Sequence, residues 1–210
     1  MVTRLVRSGY ASKPDVIDAL RTVPRHLFVP PPWWKYAYED HPLEIGAGQT
    51  ISAPSMVAIM LEHLDLAPGQ RVLEVGTGLG YNAALMGKIV GNEGRVYTVE
   101  RHSSLGTKAM SLLAELGMKN VAVRIGDGSG GLPEHAPYDR IIVTCAAPAI
   151  PEPMIEQIKE GGRIVIPVGR GFFQELILGV LAKGKLVQMG LGGCAFVPLT
   201  GTYGFERPRS

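Results

Sequence analysis

The sequence predicts an α/β protein built on a mostly parallel sheet covered on both faces. Three observations carry this. Short apolar runs rich in Val and Ile recur at residues 71–75, 95–99, 121–125, 140–144 and 163–167. Segments of helical composition lie between several of them: 81–90, 105–116 stopped by Gly117, and 154–159 closing at Gly161-Gly162. Strand–helix alternation of this kind sets parallel strands side by side with helices on the faces. Finally, residues 175–182 and 186–190 flank Lys183-Gly184-Lys185, which reads as a hairpin turn, so the sheet is expected to finish in antiparallel strands.

The segment before this alternation has another character. Ser12-Lys13-Pro14-Asp15 reads as a helix start, with Ser12 as its cap and Pro14 in the first turn. Val16, Ile17, Leu20 and Val23 follow at helical spacing, and Pro24 ends the helix. Val29-Pro30-Pro31-Pro32-Trp33-Trp34 fits neither a regular helix nor a central strand. Residues 44–52 are Gly-rich, and Pro54 opens a second helix whose apolar face is Met56, Val57, Met60, Leu61 and Leu64.

Bulk properties bound the function. A chain of 210 residues fits one domain, and a hydrophobic fraction of 46% is enough to bury a core at that length. A net charge of +2 gives no field that would draw nucleic acid or an acidic membrane. Cys145 and Cys194 form neither a Cys-x-x-Cys pair nor a disulfide framework, which points to a reducing, cytoplasmic setting. The N-terminus is too mixed for a signal peptide, and no apolar run reaches the length of a membrane span. The five histidines are scattered without a metal-ligand spacing, so no metal is expected.

In an open parallel sheet, ligands bind where strands end and helices begin. The first such turn is Glu74-Val75-Gly76-Thr77-Gly78-Leu79-Gly80. A dinucleotide turn, Gly-x-Gly-x-x-Gly, would place its third glycine at Tyr81, and no phosphate-binding Lys-Ser/Thr follows. An S-adenosylmethionine site tolerates the shorter Gly-x-Gly-x-Gly run, although a plain tight turn would read the same. The second strand ends at Glu100, an acid placed to accept ribose hydroxyls; both NAD and S-adenosylmethionine carry that ribose. The third ends at Gly126-Asp127-Gly128, where Asp127 could reach an adenine amino group or simply close an Asx turn. Three ligand-shaped turns after three successive strands favour a nucleoside-containing cofactor.

At this point the chain resembles the protein-L-isoaspartate O-methyltransferases. The resemblance rests on Val23–Pro30, Ala37-Tyr38-Glu39-Asp40, Thr50-Ile51-Ser52-Ala53-Pro54, the run from Val72 to Ala83, and Gly126-Asp127-Gly128. It continues through Ala136–Ile141, Gly161-Gly162-Arg163 and Phe196-Val197-Pro198-Leu199-Thr200, in order over nearly the whole chain. The residues from Gln49 to Pro54 are its most specific part. The chain departs at His102-Ser103-Ser104, where the resemblance calls for a proline and another helix start, and in its Pro30–Trp34 segment.

The resemblance implies a class I S-adenosylmethionine-dependent methyltransferase: a Rossmann-like, mostly parallel seven-stranded sheet with an antiparallel terminal strand. Residues 1–210 would form one domain, with 1–52 as a helical and loop extension contributing to the active site. The reaction implied is methyl transfer to the free α-carboxylate of L-isoaspartyl residues in damaged proteins and peptides, with S-adenosyl-L-homocysteine as product. Gly76, Thr77, Gly78 and Gly80 would hold the amino-acid part of the cofactor, Glu100 the ribose, and Asp127 with Gly128 the adenine. Thr200 would stand near cofactor or substrate, Thr50, Ile51, Ser52 and Ala53 would meet the substrate, and Ser52 would be the active-site residue.

The chemistry suits so small a set. A carboxylate is already ionised at neutral pH and needs no general base. Alignment of oxygen, methyl carbon and sulfur is then the main task. Ser52, just before Pro54, would hold one carboxylate oxygen beside a helix N-terminus, or else merely cap that helix. Two rivals differ in class. A methyltransferase for RNA or a small molecule lacks support, since Thr144-Cys145-Ala146-Ala147-Pro148 is not the Asp/Asn-Pro-Pro-aromatic motif. A non-catalytic nucleoside sensor would not require Ser52.

Overall fold

The computed structural model describes residues 1–171 and 173–206. Helices α1 (Val2–Arg7) and α2 (Pro14–Thr22) lead into two 3₁₀ turns, Arg25–Phe28 and Pro31–Tyr36. The triple proline thus starts a 3₁₀ turn, the tight helical form that a missing N–H and a fixed φ still permit. A small hairpin follows, β1 (Leu43–Gly46) and β2 (Gln49–Ile51), then α3 (Pro54–Leu64). The main alternation is β3 (Arg71–Val75), α4 (Tyr81–Val90), β4 (Arg95–Glu100), α5 (Ser103–Glu115), β5 (Val121–Ile125) and β6 (Tyr138–Val143). It ends with α6 (Glu152–Glu156), β7 (Ile158–Arg170), β8 (Phe173–Ala182) and β9 (Lys185–Cys194).

The sheet has seven strands in the order β5-β4-β3-β6-β7-β8-β9. Strands β5 to β7 run parallel, and β8 and β9 add an antiparallel hairpin. Its two-residue turn, Lys183-Gly184, has both φ angles positive, the geometry that matches strand twist. The strand order reverses between β3 and β6, and the crevice at that reversal is where an open α/β sheet takes its ligand.

One buried cluster joins α2, α3, α4 and α5 to the sheet through Leu20, Leu61, Leu85, Met86 and Leu113, and also takes in Leu5 and Phe28. A second covers the opposite face, where Leu132 and Leu199 from connecting segments and Met154 from α6, rather than long helices, pack with Tyr138 of β6 and Ile158 of β7. No described helix is long and apolar enough to cross a membrane.

Two expectations need correction, the Ser12 cap and the helix at 154–159, and two elements, the β1–β2 hairpin and α1, were not foreseen. Ser12 does not cap α2: the cap position is Lys13, and the Ser12 hydroxyl donates to Glu62 Oε2 at 2.7 Å. The Gly-rich stretch at 44–52 is a β-hairpin, turned by Ala47 and Gly48 at φ of 53° and 69°. The N-terminal helix α1 carries no cap or proline signal in the sequence. The helix expected at 154–159 stops at Glu156, because the Gln157 carbonyl is taken by the Tyr138 amide at 2.8 Å and the chain joins the sheet there. Gly161 and Gly162 then fall inside β7, at an irregularity in its pairing with β6.

Candidate active site

The first strand-to-helix turn is shaped by glycine. Gly76 has φ +101°, and a Cβ there would stand 2.3 Å from Thr144 Oγ1. That hydroxyl donates to the Gly76 carbonyl at 2.7 Å, so the end of β6 fixes the start of the turn. Gly80, at φ +95°, occupies the cap position of α4. A side chain at either glycine would be strained as well as crowded.

Beneath the turn lies a buried polar network. The Thr77 hydroxyl meets Thr98 Oγ1 at 2.6 Å, Thr98 Oγ1 donates to Glu74, and Asn82 Nδ2 donates to Glu74 Oε1 at 3.0 Å. Glu74 is fully buried, and burial pushes its carboxyl up to about 7, against the hydrogen bonds from Thr98 and Asn82. Thr77 therefore faces inward, and what it offers a ligand is its main chain.

Glu100 is no surface carboxylate: it is 5% exposed at the end of β4. Its Oε2 accepts the Gly78 amide and its Oε1 the His102 amide, each at 2.8 Å. The acid thus ties the Gly-rich turn to the following helix start while facing the cavity. Each oxygen keeps a lone pair for a further donor.

A cavity of about 240 Å³ opens at this crevice, walled by Gly76, Gly78, Glu100, Gly128, Val197 and Thr200 among others. Gly128 is there for want of room: a Cβ would come within 2.9 Å of Val75 Cγ1 and 3.1 Å of Val99. Thr200 is held against the cavity by Arg101 Nη1, which donates to its carbonyl at 2.7 Å and also to its hydroxyl. Cys145 also lines the cavity, and burial pushes its thiol up to about 12, so it stays protonated.

Asp127 stands differently from Gly128. It is exposed and sits outside this cavity. Its Oδ1 accepts the Ser129 amide at 2.9 Å, and its Oδ2 accepts the Thr202 amide at 2.9 Å and the Thr202 hydroxyl at 3.2 Å. Burial works against its charge, but these bonds outweigh it and hold the carboxyl below its usual value.

A smaller chamber adjoins the cavity, lined by Thr50, Ile51, Ser52, Tyr81 and Asn82. The two share the walls Ile45, Thr50, Gly76, Gly78 and Thr144. Ser52 is not the cap of α3. That position is Ala53, and the Ser55 amide is taken by Asp40 Oδ1 at 2.8 Å. Ala53 itself lines neither space.

Two residues absent from the sequence-derived site organise this corner. Asp40 caps α3, and Arg25, fully buried, donates from Nη2 to the Ser52 carbonyl at 2.7 Å. Both lie in segments that carry the family resemblance, 23–30 and 37–40, but neither has a chemical motif of its own.

Residues 1–204 match the family described as Protein-L-isoaspartate(D-aspartate) O-methyltransferase. A protein-L-isoaspartate O-methyltransferase of Methanosarcina mazei is 52% identical over 200 residues, spanning 95% of this chain and 82% of the relative. A solved protein-L-isoaspartate O-methyltransferase structure superposes with a TM-score of 0.85 at 33% identity, covering 97% of this chain and 67% of that one. A Plasmodium falciparum structure, described as a β-aspartate methyltransferase in complex with S-adenosyl-L-homocysteine, gives a TM-score of 0.85 at 26% identity, over 95% of this chain and 96% of that one. With the match running from α1 through the Thr200 segment, both chambers included, the chain belongs to the protein-L-isoaspartate O-methyltransferase family.

Proposed function

We propose that the two adjoining chambers are a donor site and an acceptor site, for methyl transfer from S-adenosylmethionine to the free α-carboxylate of L-isoaspartyl residues. The observation that carries this reading is their common wall, Ile45, Thr50, Gly76, Gly78 and Thr144. A ligand in one meets a ligand in the other at Ser52's side of the Gly-rich turn.

The residues present fit the cofactor. The positive φ at Gly76, and the close packing of Gly76 on Thr144 and of Gly128 on Val75 and Val99, bring bare main chain to the wall of the cavity. Glu100, buried and fixed by two amides, supplies an acceptor for two ribose hydroxyls. Gly76, Gly78 and the main chain of Thr77 take the amino-acid end, with Gly80 setting the helix behind them. Gly128 gives space for the adenine. Asp127, which also fixes the Thr202 amide, takes the adenine with it. When bound, the cofactor supplies an electrophilic methyl group on a sulfonium.

The chain's own residues bind, orient and exclude water. Ser52 donates to one oxygen of the acceptor carboxylate and leaves the other aimed across the common wall. Thr50 and Ile51 place the peptide, and Ala53 carries the chain into α3. The reaction joins an anion to a cation, so charge is lost as the bond forms. A partly enclosed site that replaces water by fixed dipoles favours it. The whole chain acts as one domain, with residues 1–52 supplying the acceptor side. Its free cysteines suit a cytoplasmic enzyme whose partners are damaged proteins and peptides.

The test is a pair of peptides differing only in linkage. In an isoaspartyl residue the free carboxylate sits directly on Cα, whereas in aspartate it stands one methylene further out. A short Ser fixed at a helix start does not follow it, and a misplacement of about 1 Å costs about 10²-fold in rate. Labelled cofactor should mark the L-isoaspartyl peptide strongly and its L-aspartyl twin almost not at all. Equal labelling of the two would remove the repair reading.

A further inference from the structure

Three buried side-chain polar atoms lack a hydrogen-bond partner among the described residues: Arg25 Nη1, Tyr81 OH and Asn82 Oδ1. They are not scattered. Tyr81 and Asn82 line the chamber that contains Ser52, and the Arg25 guanidinium lies over the Tyr81 ring at 4.9 Å. Buried polar groups are nearly always satisfied, so three exceptions in one corner need a cause.

Arg25 is the strongest of them. It is 0% exposed, and no carboxylate among the described residues forms an ion pair with it. Guanidinium stays charged at any ordinary pH, so the corner holds a buried positive charge that no carboxylate meets in an ion pair, with the Tyr81 hydroxyl and Asp40 acting on it from nearby. Its donors are committed in a fork: Nε to the Ala37 carbonyl and Nη2 to the Ser52 carbonyl, each at 2.7 Å. The fork joins the two ends of the segment that carries the β1–β2 hairpin, and one prong ends on the main chain of Ser52.

We propose that Arg25 is the positioning residue of the acceptor site, holding Ser52 from behind through its carbonyl and placing positive charge behind the wall that an anionic carboxylate approaches. This rests on the reading of Ser52 as the group that receives the isoaspartyl carboxylate. A rigid planar fork, and not merely a cation, meets two carbonyls at once. Lysine keeps the charge but cannot span both.

The test uses the full chain, a synthetic L-isoaspartyl peptide and labelled S-adenosylmethionine. Arg25→Lys and Arg25→Ala are compared with the parent for turnover, for S-adenosyl-L-homocysteine affinity by calorimetry, and for thermal midpoint. We expect kcat to fall by about 10²-fold in both variants, the cost of an acceptor out of line, with product affinity within about twofold of the parent. Millimolar guanidinium should restore part of the Arg25→Ala turnover, and urea, of like shape but neutral, should not. If Arg25→Ala does not fold, Arg25→Lys decides alone. A folded Arg25→Lys that turns over like the parent, or a loss that guanidinium restores no better than urea, overturns the proposal. Ser52→Ala is run beside them. Parent-like turnover there removes the Ser52 reading, whereas loss there with parent-like Arg25→Lys removes only the role of Arg25.

Discussion

Asp40 Oδ1 accepts the main-chain amide of Ser55 at 2.8 Å, across 15 positions of the chain, and so caps the helix that Ser52 precedes. Ser52 stands one residue before the cap position, Ala53, whose side chain cannot cap, and a residue from another segment takes the amide instead. Asp40→Ala should cost about 1 kcal/mol of stability, within the 0.5–2 range of lost N-caps. Urea unfolding checks it, and an unchanged midpoint would show that the cap contributes nothing.

Ser52→Ala should fold, bind cofactor as the parent does, and lose turnover by about 10²-fold or more, the scale of one oriented donor. The loss should sit in kcat rather than in cofactor affinity. Steady-state kinetics with an isoaspartyl peptide reads this directly, and a variant as fast as the parent would leave Ser52 no part in the chemistry.

Glu100→Ala should weaken cofactor binding by about 1.5–3 kcal/mol, the worth of hydrogen bonds to a charged group. Two effects combine, since the acid also holds the Gly78 and His102 amides. Calorimetry with S-adenosylmethionine measures it, and NAD is the control expected to show no heat. Undiminished affinity in a folded variant would exclude the ribose role.

Glu74 makes stability depend on pH in an unusual direction for a carboxyl. Its folded value is about 7 against an ordinary 4.5, so the folded state holds the proton more tightly. Its favourable contribution is complete below about 4.5 and is lost as pH rises through 7. Above that, the buried charge costs on the order of 3 kcal/mol. Glu74→Gln removes the titration, and the Thr77–Thr98 hydroxyl pair can reverse to suit the amide. The variant should therefore gain on the parent between pH 5 and pH 8 in urea unfolding. A difference that stays constant with pH would mean that Glu74 does not titrate there.

The fold was legible where local pattern and tertiary demand agree. The runs at 71–75 and 121–125 and the helix at 81–90 have the expected bounds: the first is a buried central strand and reads as a continuous apolar run, the second is an edge strand marked by its Val and Ile residues, and Gly80 and Gly91 bracket the helix. The helix expected at 154–159 shows the opposite case. Met-Ile-Glu-Gln-Ile-Lys has helical composition, but pairing with Tyr138 stopped the helix and drew Ile158 and Lys159 into β7. The β1–β2 hairpin escaped notice because Ala47, not glycine, takes one of the positive-φ places in its turn. In the site, strand ends pointed to Glu100 and Gly128, which line the cavity. Asp127 forms the Asx turn to the Ser129 amide and also lines a neighbouring space with Arg101, Gly126 and Gly201, so the turn and the expected adenine contact ask for the same carboxylate. Arg25 was out of reach for another reason: a charged residue flanked by Pro24 and His26 reads as surface, and only the folded chain puts it behind Ser52.

Val197, Pro198, Leu199 and Thr200 wall the cavity, and Arg101 secures the last of them from almost a hundred positions earlier. The pocket is therefore finished late in synthesis. A ribosome that has delivered the Gly-rich turn, Glu100 and Gly128 has delivered three sides of a container with no fourth. A nascent chain, or one clipped before residue 197, would keep most of its sheet and still present an unwalled cavity. Competence to bind thus reports that this polypeptide is intact through Thr200.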